Sequence, residues 1–179
     1  MASSSSFPPE VTHTTSAPLV IAFSNASKVS SVFPEKEEQI TKSTNSKVDG
    51  EKFLAENRNN DGVIVLASGL QYKIVEEGSG KVPDYDDRVT VHYHAYLIDG
   101  HKFDSSYDKG QPLTLEVSRF VPGFQEALLM MPVGSRWEVY IPYNLAYGEQ
   151  GIKGSKLEEY VVPPSSTLIF EMELLDITQ

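Results

Sequence analysis

The segment from residue 89 to residue 103 constrains the fold most, because it predicts a strand, a tight turn and a returning strand. Its alternating apolar positions are Val89, Val91, Tyr93, Ala95 and Leu97. This alternation is typical of a half-buried strand. Asp99-Gly100 follows as a strong two-residue hairpin signal, and Phe103 begins the return. Strands joined by so short a turn are antiparallel, so the sequence predicts an antiparallel sheet.

Other runs extend this sheet. They are Val63–Leu66, Leu70–Ile74, Leu113–Val117, Trp137–Ile141 and Leu168–Leu174. Gly123–Met130 is the one convincing internal helix, because Pro122 precedes it and its apolar residues recur near helical spacing. One short helix among antiparallel strands predicts an α+β fold, in which the helix covers one face of the sheet.

The chain divides near residue 48. Sixteen of the first 48 residues are Ser or Thr, and no sustained period of 2 or 3.6 is present. We therefore predict a disordered segment over 1–48, although Ala17–Phe23 could form a short strand. A short lead-in helix is predicted within 49–61, at Asp49–Asn57, with Asp49 as its N-cap. The folded domain is expected at 62–179.

Composition excludes several kinds of partner and site. The net charge is −10, from 25 acidic and 15 basic residues, which argues against nucleic acid as a partner. Cysteine is absent, so a disulfide framework or a thiolate metal site is excluded. No apolar stretch approaches the roughly 20 residues of a transmembrane helix. The start of the chain matches a secretory signal poorly, so a cytoplasmic location is favoured, with export or organelle targeting as the alternatives.

Aromatic and apolar residues gather in and beside the predicted turns. They are Tyr93, Phe103, Phe120, Val121, Phe124, Tyr147 and Phe170. A sheet that carries one helix leaves a concave apolar surface between them. Such a surface with few polar groups is a ligand pocket by default.

Six ordered motifs resemble the FKBP family of peptidyl-prolyl cis-trans isomerases. They are Val91-His92-Tyr93, Asp99–Ser106, Phe120-Val121-Pro122-Gly123-Phe124, Met131–Ser135, Ala146-Tyr147-Gly148 and Val162-Pro163-Pro164 with Thr167–Leu175. Phe53–Asn57, followed by Gly69–Tyr72, is similar to the macrophage-infectivity-potentiator (Mip) branch. The resemblance covers about residues 62–179 and implies an FKBP-like sheet wrapped around the short helix.

The resemblance also implies a role for each matching residue. The substrate-binding positions are Tyr93, Phe103, Phe120, Val121, Phe124, Tyr147, Val162 and Phe170. The catalytic positions are Asp104, Tyr147, Val121 and Phe124. Asp104 is expected at the rim, Phe124 at the floor where the family often has Trp, and the Val121 N–H and Tyr147 hydroxyl as donors to peptide carbonyls. Lys109 replaces a common Arg, so we expect a looser pair with Asp104.

The function implied is acceleration of rotation about X–Pro bonds during protein folding, without a cofactor, a metal or a covalent intermediate. Pro-containing peptides and proteins are the expected partners, and rapamycin-class macrolides the expected inhibitors. A monomer is expected, with a dimer as the alternative. Two other functions stay open: a non-catalytic module that binds Pro-containing peptides, and a chaperone that uses exposed apolar surface. His92 and His94 lie two residues apart on one strand face, but no third metal ligand is evident.

Overall fold

The longest strand of the molecule lies at its C-terminal end and pairs on both sides. A computed structural model describes residues 34–155 and 159–178. Residues 38–179 form one compact unit; the other unit, 1–37, lies almost entirely outside the described residues. The strands are β1 (Val63–Val65), β2 (Gln71–Glu76), β3 (Arg88–Leu97), β4 (Lys102–Ser105), β5 (Leu113–Glu116), β6 (Arg136–Ile141), β7 (Ile152–Lys153), β8 (Tyr160–Val162) and β9 (Leu168–Thr178). The α-helices are α1 (Pro34–Asn57) and α2 (Pro122–Leu128), and 3₁₀ turns cover Val117–Arg119 and Tyr143–Leu145.

Seven strands form the main sheet, in the order β1-β2-β6-β9-β3-β4, and β5 also pairs with β3. Every pairing is antiparallel. The predicted hairpin is present: Gly100 has a φ of +87°, and the Leu97 N–H donates to the His101 carbonyl at 2.9 Å. A positive φ favours glycine, which has no Cβ to clash. The predicted α+β class with an antiparallel sheet and one short internal helix is confirmed.

Helix α2 packs on the concave face of the sheet. Its buried residues include Phe124, Ala127 and Leu128. Pro122 is the first helical residue, where its missing N–H has no intrahelical partner to lose. Gly123 allows close approach, because a Cβ there would collide with the fully buried Ile141 side chain. The core therefore places α2, and Phe124 with it, directly against the sheet.

Helix α1 corrects one prediction. It begins at Pro34, not at Asp49, so residues 34–48 are helical and the predicted disorder is wrong for them. Periodicity did not predict this part of the helix, because apolar residues do not recur there at helical spacing. Glu, Lys and Gln in 35–39 are nevertheless good helix formers. The predicted disorder of 1–33 and the strand at Ala17–Phe23 lie outside the described residues, and the domain limits stay a prediction.

The C-terminal part of α1 packs on the convex face of the sheet. Gln71 is buried; its amide donates to the Leu54 carbonyl at 2.8 Å and accepts from the Asn57 amide at 2.9 Å. Phe53 contacts Tyr140 with ring centroids 6.0 Å apart. These contacts fix α1 against β2 and β6. In the part of the chain that the structure describes, no helix is both long and apolar enough to cross a membrane.

Candidate active site

Phe124 lies at the centre of an aromatic cluster between α2 and the sheet. Only 2% of it is exposed. Its ring stacks on Phe120, with centroids 4.6 Å apart and planes at 7°. Phe170 meets it edge-on at 5.2 Å, and Tyr93 does so at 6.3 Å. Phe103 extends the cluster through an edge contact with Phe170 at 6.3 Å. Edge-to-face and offset pairs are favoured ring geometries, so the five rings hold one another in place.

All eight predicted substrate-binding residues belong to one apolar cluster. Tyr93, Phe124, Val162 and Phe170 are buried in it, whereas Phe103, Phe120, Val121 and Tyr147 are partly buried at its edge. The structure therefore brings them together from β3, β4, α2, β8, β9 and two connecting segments. Their roles toward a ligand stay predictions.

Asp104 carries the carboxylate beside this cluster. The Tyr93 hydroxyl donates to its Oδ2 at 2.8 Å, and the Ser105 N–H donates to its Oδ1 at 2.8 Å. Lys109 lies 2.5 Å from Oδ1. Partial burial raises the pKa of Asp104, but the hydrogen bonds from Lys109, Tyr93 and Ser105 outweigh it and hold that pKa below its usual range. Asp104 is therefore ionised at neutral pH.

The expectation that Lys109 pairs with Asp104 more loosely than an Arg would stays a prediction. Lys109 uses one nitrogen on one oxygen, as its shape requires, yet the contact is short. The pair closes the turn from 104 to 109, and the Gly110 N–H donates to the Tyr107 carbonyl at 3.0 Å. The turn is therefore closed by contacts among its own residues.

Besides the buried indole N–H of Trp137, two hydrogen-bond donors beside the aromatic cluster have no partner among the described residues. The Tyr147 hydroxyl is one, and the Val121 N–H is the other. Burial, followed by the nearby charge of Asp104, raises the pKa of Tyr147, so the hydroxyl keeps its proton at neutral pH. Unpaired donors beside an apolar surface are suited to hold the carbonyl oxygens of a bound chain.

Sequence reasoning missed the side chains that support these groups. The Gln125 amide donates to the carbonyls of Phe120 at 2.6 Å and Ser118 at 3.0 Å, and so fixes the segment that leads to Val121. The buried Ser106 hydroxyl accepts from the Tyr93 N–H at 2.8 Å. Gln125 is the one amide side chain in this short helix, and this was the available signal for it. Ser106 closes the motif Asp99–Ser106, but the sequence indicated no role of its own for it.

Part of the long segment between Tyr147 and Val162 forms a hairpin. Strands β7 and β8 pair with each other, and the Gly154 N–H donates to the Glu159 carbonyl at 2.6 Å. The Ser165 N–H donates to the Gly148 carbonyl at 2.9 Å, which ties the far end of the segment to the residue after Tyr147. The hairpin and this hydrogen bond together link the position of Val162 to that of Tyr147.

Two family models match this chain. One, described as FKBP-type peptidyl-prolyl cis-trans isomerase, matches residues 80–175. The other, described as the domain amino terminal to FKBP-type peptidyl-prolyl isomerase, matches residues 17–74. The first covers all of the predicted site residues.

Two curated relatives are similar to this chain over most of its length. The chain is 49% identical over 129 residues to the FKBP-type 22 kDa peptidyl-prolyl cis-trans isomerase of Escherichia coli, covering 72% of this chain and 60% of that protein. It is 44% identical over 136 residues to the outer membrane protein MIP of Legionella longbeachae, covering 76% and 56%. The chain thus spans less than two thirds of the length of these relatives. The second of these relatives is named as an outer membrane protein, which contradicts the predicted cytoplasmic location.

Solved structures agree with the fold. FkpA from Escherichia coli aligns with a TM-score of 0.76 at 32% identity, covering 86% of this chain and 69% of that one. A peptidyl-prolyl cis-trans isomerase from Pseudomonas syringae aligns with a TM-score of 0.68 at 32% identity, covering 76% and 96%. The likeness therefore extends over nearly the whole of the second structure.

Proposed function

The chain belongs to the family of FKBP-type peptidyl-prolyl cis-trans isomerases, and we propose on this basis that its aromatic pocket accelerates rotation about X–Pro peptide bonds. The observation that supports this most directly is the pair of unpartnered donors, the Val121 N–H and the Tyr147 hydroxyl, beside a closed cluster of aromatic rings. The carboxylate of Asp104 is the third polar group of the proposed site.

The chemistry requires neither proton transfer nor bond cleavage. Rotation about the X–Pro bond breaks amide resonance and meets a barrier of roughly 20 kcal/mol. The twisted amide has less charge separation than the planar one, so an apolar pocket disfavours the planar form relative to the twisted form. Donors that hold the flanking carbonyls select the twisted geometry. This is preferential binding of the transition state.

Each residue has a proposed task. Phe124 forms the floor for the prolyl ring, and Tyr93, Phe103, Phe120, Val162 and Phe170 supply apolar walls. The Val121 N–H and the Tyr147 hydroxyl bind carbonyls of the peptide. Asp104 orients the Tyr93 hydroxyl and faces the bound chain from the rim. Raised pKa values keep the Tyr93 and Tyr147 hydroxyls protonated: burial is the main cause for both, and Asp104 adds to it.

The proposed substrates are Pro-containing segments of protein chains, encountered after export. Rapamycin-class macrolides are the proposed inhibitors, because the same apolar cluster and donors would take them. The proposed state is a monomer, with a dimer as the alternative, and size-exclusion chromatography with light scattering on the full chain separates the two.

The proposal is tested by the cis-to-trans relaxation of an X–Pro peptide. Adding the protein should raise the relaxation rate in proportion to its concentration, and rapamycin should suppress the increase. If the protein bound rapamycin without changing the relaxation rate, the site would be a binding module and the isomerase proposal would be wrong.

Tyr147→Phe should lower kcat/KM for the same peptide by about tenfold, since one hydrogen bond to the twisted state contributes about 1.4 kcal/mol. The melting temperature should stay unchanged, because the hydroxyl has no partner among the described residues. Tyr85→Phe is the matched control, because Tyr85 is exposed and is not part of the apolar cluster that contains Tyr147. Equal activity of the two variants would remove Tyr147 from the proposed mechanism.

A further inference from the structure

A groove of about 380 Å³ lies on the face of the sheet opposite to the aromatic pocket. Successive side chains of a strand point to opposite faces. Tyr93 and Phe170 belong to the pocket face, so their neighbours His94 and Glu171 belong to the other one, where the register pairs them directly. The groove crosses β3, β9 and β6 and reaches Val75 on β2. The groove is therefore separate from the candidate active site.

Carboxylates dominate this groove. Glu138, Glu171 and Glu173 line it, against one cation, Arg136. Glu138 and Glu171 are direct cross-strand partners. In the ranges 34–155 and 159–178, neither forms an ion pair with a lysine or arginine. Like charges directly opposite each other destabilise a sheet, so a cation placed between these two would relieve an unfavourable contact.

The neighbouring lysine does not supply that cation. Lys73 is the cross-strand partner of Glu138 on its other side. Its side chain, however, runs along Gly62, with the Cε atom 3.5 Å from where a Cβ of Gly62 would lie. Glu138 instead accepts a hydrogen bond from the Tyr140 hydroxyl at 2.7 Å. Glu138 and Glu171 are thus left without a lysine or arginine partner among the described residues.

An exposed aromatic ring borders the same groove. Tyr107 stacks on His92 at 4.2 Å and on His94 at 4.6 Å, and its hydroxyl donates to Glu173 at 2.8 Å. The two imidazoles are held in turn by the Ser106 and Ser105 hydroxyls, each at 2.8 Å. Tyr107 is nevertheless 42% exposed. A fixed ring with a free surface is a good partner for an ammonium or guanidinium group.

We propose that this groove docks an extended basic segment of a protein chain, with lysine or arginine side chains at Glu138 and Glu171 and over Tyr107. The negative charge of the groove, which three glutamates and one arginine line, favours a positively charged occupant. The exposed Val75 at the far end offers apolar contact to the methylene stems of such side chains. A metal ion fits less well, because no group of three or more His, Cys, Asp or Glu side chains among the described residues is placed so that it could hold one. The inference does not depend on the pocket being catalytically active.

The test is an NMR titration of the full chain with the proline-free peptide acetyl-Lys-Ala-Lys-Ala-Lys-amide. Amide shifts should move at Tyr107, Glu138 and Glu171, and the binding should weaken with added salt. The same peptide with Glu in place of Lys should not bind. The double variant E138Q/E171Q should weaken binding about tenfold, since it removes two charge-assisted contacts.

The control variant D61N/D86N makes the same change in net charge at two exposed positions outside the groove. It should bind the peptide like the unmodified chain; an equal loss of affinity would mean general charge attraction and overturn the proposal. E138Q/E171Q should melt at the same temperature or higher, because it relieves the like-charge pair, and a lower melting temperature would mean a structural role. Spermine that binds as tightly at the same amides would indicate a site for small polycations, which also contradicts a peptide-docking groove.

Discussion

Phe124→Ala should lower the free energy of unfolding by about 3–5 kcal/mol, the usual range for truncating a buried aromatic residue. The ring is 2% exposed and contacts three other rings, so its removal leaves a cavity that its neighbours cannot fill without losing their own edge contacts. We expect kcat/KM for an X–Pro peptide to fall more than tenfold as well, because the proposed floor of the pocket is lost. Urea denaturation and the relaxation assay measure the two effects.

Phe53→Ala is the matched control for this variant. Phe53 is partly exposed and packs on Tyr140 from the convex face, outside the aromatic cluster. Phe53→Ala should lower the free energy of unfolding by less than Phe124→Ala does, and it should leave kcat/KM unchanged. If Phe124→Ala retained full activity under conditions where it is folded, Phe124 would be a core residue and not the floor of a site.

Asp104→Asn should reduce kcat/KM about tenfold, equivalent to about 1.4 kcal/mol of transition-state stabilisation. The substitution keeps the shape but removes the charge that accepts from Tyr93 and pairs with Lys109. The Tyr93 ring would then lose a charge-assisted hydrogen bond that orients it within the aromatic cluster. Asp108→Asn is the control, because Asp108 pairs with Lys102 at the surface of the same turn. Equal losses in both variants would mean that the turn, and not the Asp104 carboxylate, matters for activity.

Asp104 should also contribute to the pH dependence of stability. Its pKa is lowered in the folded state, so its contribution is fully present above the unfolded value of about 3.9 and is lost as pH falls through the folded value. The unmodified chain should therefore be more stable than Asp104→Asn at pH 7, and the difference should shrink below about pH 4. A difference that is constant from pH 7 to pH 3 would contradict an ionised, hydrogen-bonded Asp104.

Local patterns were sufficient to predict the main sheet. The alternation from Val89 to Leu97 and from Leu168 to Leu174 predicts which side chains face the core. The two residues Asp99-Gly100 are sufficient to predict the turn that follows β3. Helix α1 was truncated in the prediction because its first half carries no apolar stripe. The β7–β8 hairpin was missed because each of its strands is only two or three residues long.

The candidate site was predicted through its resemblance to a family, and the groove on the other face was not predicted at all. Phe103 and Phe170 are ordinary core residues by pattern alone, and only the joint motifs singled them out. The contacts of Tyr107 with Glu173 join residues 66 positions apart, and those of Ser106 with His92 join residues 14 apart. Such pairings follow from the register of β3, β4 and β9, which no local window of sequence contains.

Strand β3 serves both surfaces, and this has an evolutionary consequence. Its odd-numbered residues from Val89 to Ala95 face the core, where Tyr93 is part of the aromatic cluster, while its even-numbered residues His92 and His94 stack on Tyr107 on the other face. A point substitution therefore alters one surface and spares the other. During evolution, substitutions at the even-numbered positions could change which partners the proposed docking groove binds. The odd-numbered positions, and with them the proposed reaction, could stay the same.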